Sequence, residues 1–205
     1  MYRGEWLNSL SHLLGAVAAL AGMVVLVAFA SLQGDIWKIV SFSVYGLCLF
    51  LLYLFSTLYH SFNGERKNLF RKFDHIAIYL LIAGSYTPFT LVSLNGTWGW
   101  TLFAMVWGLA VIGIILDALP TNGRRIIPII IYVLMGWLAM VAIKPLLASL
   151  TTAGFLWLLA GGLCYTVGIL FFALDSRYPV FHAIWHLFVL AGSITHYVAI
   201  FVYVL

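Results

Sequence analysis

Three of the chain's six histidines fall in one stretch, Phe181 to His196, FHAIWHLFVLAGSITH. His182 and His186 are four apart, so on a helix they share a face, one turn above the other. Two ionisable rings inside an apolar run are costly there and point to a function. His60, with Ser56 four residues before it, and Asp74-His75 stand at the ends of two other apolar runs. Three imidazoles and a carboxylate match the donors of a catalytic zinc, which has three protein ligands and an open position for water. Asp74 is suited either to ligate or to act as general base on the bound water. Ser56 is suited to hydrogen-bond that water or a substrate oxygen.

The elements that must bring these residues together are membrane-spanning helices. Of the 205 residues, 64% are hydrophobic and 8% charged, and the mean hydropathy is +1.10. A soluble domain carries about 25% charged residues. Seven apolar runs are each long enough to cross a bilayer core: roughly 12–32, 36–61, 74–93, 98–116, 126–144, 152–174 and 182–204. The expected fold is an all-α integral membrane protein, a seven-transmembrane-helix bundle forming a single domain over 1–205. Turn signals separate the runs: Gln33-Gly34-Asp35, Asn63-Gly64, Asn95-Gly96, Pro120 to Gly123, and Tyr178-Pro179. Trp37, Trp98, Trp100 and Tyr178 stand at run ends, where aromatic rings suit the membrane interface. Arg3, the run that follows and Ala28-Phe29-Ala30 resemble a signal peptide. Glu5 in the leading segment and the length of the run favour a retained helix. Cys48 and Cys164 lie inside apolar runs and read as packing residues. The basic balance does not point to nucleic acid.

Charge placement orients the bundle. Arg3, Arg66, Lys67, Arg71, Lys72, Arg124, Arg125 and Arg177 share one side, against Lys38 and Lys144 on the other. The N-terminus is then cytoplasmic and the C-terminus outside. Depth follows from orientation. The second run travels inward and ends at Ser56 to His60. The third and seventh travel outward and begin at Asp74 and His182. Four ionisable groups from three helices therefore share one layer at the cytoplasmic side.

A lone histidine at a helix end is usually interfacial or capping, and the common depth of His60, Asp74, His182 and His186 argues against that reading here. A bis-histidine haem, with ligands such as His60 and His186, is a rival. It leaves Asp74 without a role, and two histidines four apart on one helix cannot both be axial to one iron. His196 lies ten residues beyond His186, about 15 Å along a helix, and reads as a buried histidine bonded across helices. His75 points about 100° away from Asp74 and is expected to face the headgroups. Glu5, Asn8 and His12 share a helix face, either as an amphipathic lead-in or as supports for the metal layer. Pro88 is expected to kink the third helix, for packing or to open a cavity on the cytoplasmic half. Gly108, Gly113, Gly161, Gly162 and Gly168 are expected to allow close helix packing.

At these residues the chain resembles the hemolysin III family, the bacterial branch of the progestin and adipoQ receptor (PAQR) family. The matching stretches are Glu5-Trp6-Leu7-Asn8 through Ser11-His12, Ser56-Thr57-Leu58-Tyr59-His60, Asp74-His75 through Ile78-Tyr79, Gly84-Ser85-Tyr86-Thr87-Pro88 and His182-Ala183-Ile184-Trp185-His186. They run through nearly the whole chain in the family's order, and none departs from its pattern. The resemblance implies seven helices, a cytoplasmic N-terminus and an intramembrane Zn2+ held by His60, His182 and His186. Asp74 and Ser56 would surround its water. The wider superfamily includes alkaline ceramidases, which implies hydrolysis of a lipid amide or ester. The family name implies instead a membrane-lytic or pore-forming protein, although the chain shows no amphipathic pore-lining helix. A third reading is a non-catalytic, zinc-stabilised sensor of membrane state. On each reading the protein is a multi-pass protein of the cell membrane, with membrane lipid as substrate or ligand.

Overall fold

A computed structural model describes residues 5–119, 125–178 and 180–205. Arg3, Arg124, the turn from Pro120 to Gly123 and Pro179 lie outside these residues. The described chain is all helical, with seven helices long and apolar enough to cross a membrane. They are α1 (Trp6–Gln33), α2 (Ile36–Ser61), α3 (Gly64–Pro88) continued by a π-helical turn (Phe89–Leu94), and α4 (Gly96–Ala118). There follow a broken fifth span of α5 (Ile126–Gly136) and α6 (Ile143–Ser149), then α7 (Thr152–Leu174) and α8 (Val180–Tyr203).

Local chemistry sets the boundaries. Gly34 closes α1 at φ 68°, a left-handed conformation that glycine adopts without a steric cost. Asp35 then caps α2, its Oδ1 accepting the backbone N–H of Trp37 at 2.9 Å and of Lys38 at 3.2 Å. On the sixth span, Thr151 Oγ1 accepts the N–H of Gly154 at 3.1 Å and starts α7.

The buried face of α1 runs through Asn8, His12, Gly15, Ala19, Leu26 and Ala30, a three-to-four spacing that keeps one stripe against α2 and α8. The second helix is central, packing Phe42, Tyr45, Leu49 and Tyr53 against α1, α3 and α8. A second core joins Tyr79 and Ala83 of α3, Val106 and Ala110 of α4, and Tyr132 and Met135 of α5. The large exposed side chains, Leu14, Val17 and Ile115 among them, face outward, as lipid contact requires.

The structure departs from the sequence expectation in three places. First, α3 begins at Gly64, ten residues before Asp74. Its basic opening, Glu65 to Phe73, is too polar to count as a span. It is held as helix by ring stacking of Phe62 on Phe70 at 5.3 Å and of Phe55 on Phe73 at 5.1 Å. Second, the fifth span is not one helix. Pro145 sits in the first turn of α6, where its missing N–H costs nothing, and its ring bars a continuous helix through the residues before it. Tyr86 bridges the resulting break, donating to the Gly136 carbonyl at 2.8 Å and accepting from the Ala139 N–H at 3.0 Å. Backbone groups freed inside a bilayer need such partners. Tyr86→Phe is therefore expected to destabilise the bundle by about 1–3 kcal/mol, read as a lower unfolding midpoint in detergent or nanodisc.

Third, Pro88 lies far from the Asp74 end of its helix. It lies about 21 Å along the helix from Asp74, at 1.5 Å per residue. The π turn begins just after it, closed by Asn95 N–H to the Thr90 carbonyl at 3.1 Å. Thr87 and Thr90 hydroxyls bond back to the carbonyls of Ala83 and Tyr86, each at 3.0 Å. Of the glycines, Gly113, Gly161 and Gly168 abut Tyr79, His196 and Trp185 so closely that a methyl group would collide. Gly108 and Gly162 face open space instead.

Candidate metal centre

His60 stands on the last turn of α2, and His182 and His186 on the first two turns of α8. Helix packing brings all three together. Their ring centroids are 5.0, 4.9 and 4.8 Å apart for the pairs His60–His182, His60–His186 and His182–His186. One nitrogen from each lies within 4.8 Å of the other two. His60 and His186 are each 2% exposed, whereas the His182 side chain is 20% exposed and marks the open side of the cluster.

The outer nitrogens are occupied by carboxylates. His60 Nδ1 meets Glu5 Oε2, and His182 Nδ1 meets Asp175 Oδ2 at 2.8 Å. With both rings neutral and Nδ1 donating in each, both Nε2 atoms carry lone pairs, and these face each other at 3.2 Å. Two facing lone pairs repel unless a proton or a cation lies between them. Zinc–nitrogen bonds of about 2.0–2.1 Å in tetrahedral geometry place ligand nitrogens about 3.3 Å apart. His186 Nδ1 is buried without a hydrogen-bond partner. The donor set and its spacing thus fit a divalent metal ion.

Glu5 has further partners. Its Oε1 accepts from Lys67 Nζ at 2.9 Å, and its Oε2 from Asn8 Nδ2 at 3.2 Å. The hydrogen bond to His60 leads in holding the Glu5 carboxyl well below the usual carboxylate range, against the opposing effect of burial. Glu5 is therefore charged at neutral pH. His12 stacks on His186 with centroids 3.7 Å apart and planes at 17°, and meets the edge of Tyr53 at 5.0 Å. The shared face of Glu5, Asn8 and His12 is thus a support for the histidine cluster.

Asp74 lies beside Ser56, which is 1% exposed, and within electrostatic reach of His182. Among the described residues no Asp74 oxygen joins the group of ligand atoms formed by the three histidines. His60 and His186, at 4.9 Å between centroids, leave no room for a porphyrin plane between them.

The remaining histidines are elsewhere. His196 Nε2 donates to the Leu158 carbonyl on α7 at 3.1 Å, a bond between helices. His75 does not simply face headgroups. Its Nδ1 accepts from Arg125, which also pairs with Asp117 at 2.6 Å, and its carbonyl accepts from Tyr132 at 3.1 Å. Asp175 is the residue that sequence reading missed. The available signal was an acidic residue at the end of the sixth apolar run, seven before His182 and at the same end of the bundle.

Fold and site define a seven-helix membrane protein with a three-histidine cluster near one end. The chain belongs to the family described as Haemolysin-III related, whose profile matches residues 1–197. It is 48% identical to Hemolysin-3 of Bacillus cereus over 98% of this chain and 92% of the relative. It is 42% identical to a Hemolysin-3 homolog of Bacillus subtilis (strain 168) over 97% and 93%. Monocyte to macrophage differentiation factor of Homo sapiens is 30% identical over 96% of this chain and 82% of its own length.

Proposed function

We propose that the protein is a zinc-dependent hydrolase of a membrane lipid amide or ester, working at the cytoplasmic edge of the cell membrane. The observation that carries this reading is the convergence of His60 and His182 Nε2 at 3.2 Å with both Nδ1 atoms tied to carboxylates. His60, His182 and His186 would hold the ion. Zinc bound there supplies Lewis acidity and a water of lowered pKa. Asp74 takes the proton from the attacking water and returns it to the leaving amine or alcohol. Ser56 orients the Asp74 carboxylate.

The substrate class is supported by an apolar cavity between α2, α3, α5, α7 and α8. Its wall includes Ile78, one turn from Asp74, and Trp185, next to His186. A second lobe shares Ser85, Tyr86, Trp137 and His196 with the first and continues to Leu94 and Phe155. Together they suit an acyl chain whose carbonyl end lies toward the histidine layer. Arg66, Lys67, Arg71, Lys72 and Arg177 cluster at that end of the bundle, with Lys38 and Lys144 at the other. The positive-inside rule then makes the histidine end cytoplasmic.

The name Hemolysin-3, borne by a relative, speaks for membrane lysis. The apolar lining of both cavity lobes offers that reading no water-filled path. The test is fatty-acid release, followed by mass spectrometry, from amide and ester lipids in nanodiscs holding the purified protein. Release is expected to cease when metal is stripped and to return with added Zn2+. A metal-replete protein that releases nothing from either class overturns the hydrolase and leaves the non-catalytic sensor.

A further inference from the structure

Two carboxylates from segments distant in the chain grip the outer nitrogens of two of the three clustered rings. Glu5 immediately precedes α1, and Asp175 immediately follows α7, so neither lies within the helix that carries its histidine. Each contact does the same chemical work. A carboxylate can only accept, so the nitrogen of a neutral imidazole facing it bears the ring's one proton, and the far nitrogen, Nε2, is left as a lone pair. Without that constraint a neutral imidazole can place its proton on either nitrogen, and a proton on Nε2 blocks ligation.

We propose that Glu5 and Asp175 are positioning residues for the metal centre, fixing the Nδ1–H forms of His60 and His182 and so setting how tightly the ion is held. This rests on the metal reading of the cluster. The two contacts are not equivalent. Glu5 is shared among His60, Lys67 and Asn8, which ties the start of α1, the end of α2 and the basic opening of α3 into one network. Asp175 has His182 as its side-chain partner, at the more exposed edge of the cluster. Retention of the ion thus depends on docking of the first turn of α1. The α7–α8 connection instead controls the ring on the open side, which makes His182 the ring most easily released. Carboxylates in this position also raise the basicity of a ligating imidazole, and their loss typically weakens metal binding about 10–100-fold.

The experiment uses the full-length protein in two arms. In the first, metal-stripped wild type, Glu5→Ala, Glu5→Gln, Asp175→Ala and Asp175→Asn are titrated with Zn2+ against a chromophoric chelator. Each alanine variant is expected to bind about 10–100-fold more weakly, with the Gln and Asn variants, which keep an acceptor but lose the charge, falling between. In the second, 15N-histidine NMR of the metal-free protein reads the tautomers. Glu5→Ala is expected to move His60 from the Nδ1–H form toward Nε2–H and leave His182 unchanged, and Asp175→Ala the reverse. Variants are compared at matched unfolding midpoints; where an alanine variant does not fold, its Gln or Asn partner carries the comparison. Unchanged affinity and unchanged tautomers in folded variants overturn the proposal. A wild type that takes up no Zn2+ overturns the metal reading instead. The two failures are told apart because the tautomer arm needs no metal.

Discussion

Replacing His182 by alanine is expected to lower the metal content of the purified protein from about one equivalent to less than about a tenth, as elemental analysis would show, because two imidazoles alone hold the ion poorly. Alanine at His60 or His186 should do the same, but His182 is the most informative of the three. Its side chain is 20% exposed, so its loss opens little cavity, whereas His60 and His186 are each 2% exposed. Alanine at His60 also leaves the charged Glu5 without its closest partner, and alanine at His186 removes the ring on which His12 stacks. Those two variants remove almost fully buried rings, while His182→Ala removes a part-exposed one and leaves the part-exposed Asp175 to water. Normal metal content in folded His182→Ala would remove this ring from the ligand set.

The second large effect concerns Asp74. If it moves the proton rather than holding the ion, Asp74→Ala should reduce lipid hydrolysis about 10²–10⁴-fold while leaving the metal content near that of the wild type. The geometry motivates this split. Asp74 stands beside Ser56 and near His182, yet it is not one of the donors that converge. A rate assay paired with metal analysis on the same preparation checks it. Joint loss of metal and activity would make Asp74 a ligand, and an unchanged rate would take it out of the chemistry.

Much of this arrangement was legible in the residues because two periodicities acted together. The four-residue spacing of His182 and His186 assigns a helix face, and counting along apolar runs assigns a depth. Both are local, and both survived into the structure, where His60 joins the pair across 122 residues of chain. What was not legible depended on contacts that no local pattern carries. The polar opening of α3 reads as a loop by hydropathy and is helical because Phe62 and Phe55 stack on its rings. The break in the fifth span has a local cause in Pro145, but its tolerance rests on Tyr86, fifty residues away, bonding the backbone on both sides. His75 directly follows Asp74 but faces the α4–α5 side, where Arg125 and Tyr132 claim it. Asp175 looked like an ordinary charged residue at a helix end until α7 and α8 were packed together.

Tyr86 also gives a physical role to one of the stretches that carried the family resemblance. Gly84-Ser85-Tyr86-Thr87-Pro88 is not a site of chemistry. It supplies a hydroxyl to a broken span, a back-bonding threonine beside a proline, and wall residues of the apolar cavity. The three clustered histidines stand near the opposite ends of their helices. That division fits the proposed function, in which one end holds an ion and the middle takes an acyl chain.

The central claim is that His60, His182 and His186 together hold a zinc ion. The most direct measurement is zinc K-edge X-ray absorption on the purified, metal-replete protein. The account predicts a first shell of three imidazole nitrogens and one further light atom at about 2.0–2.1 Å, with the imidazole scattering reduced in His182→Ala. A shell containing sulfur, or an unchanged spectrum in the variant, would contradict it.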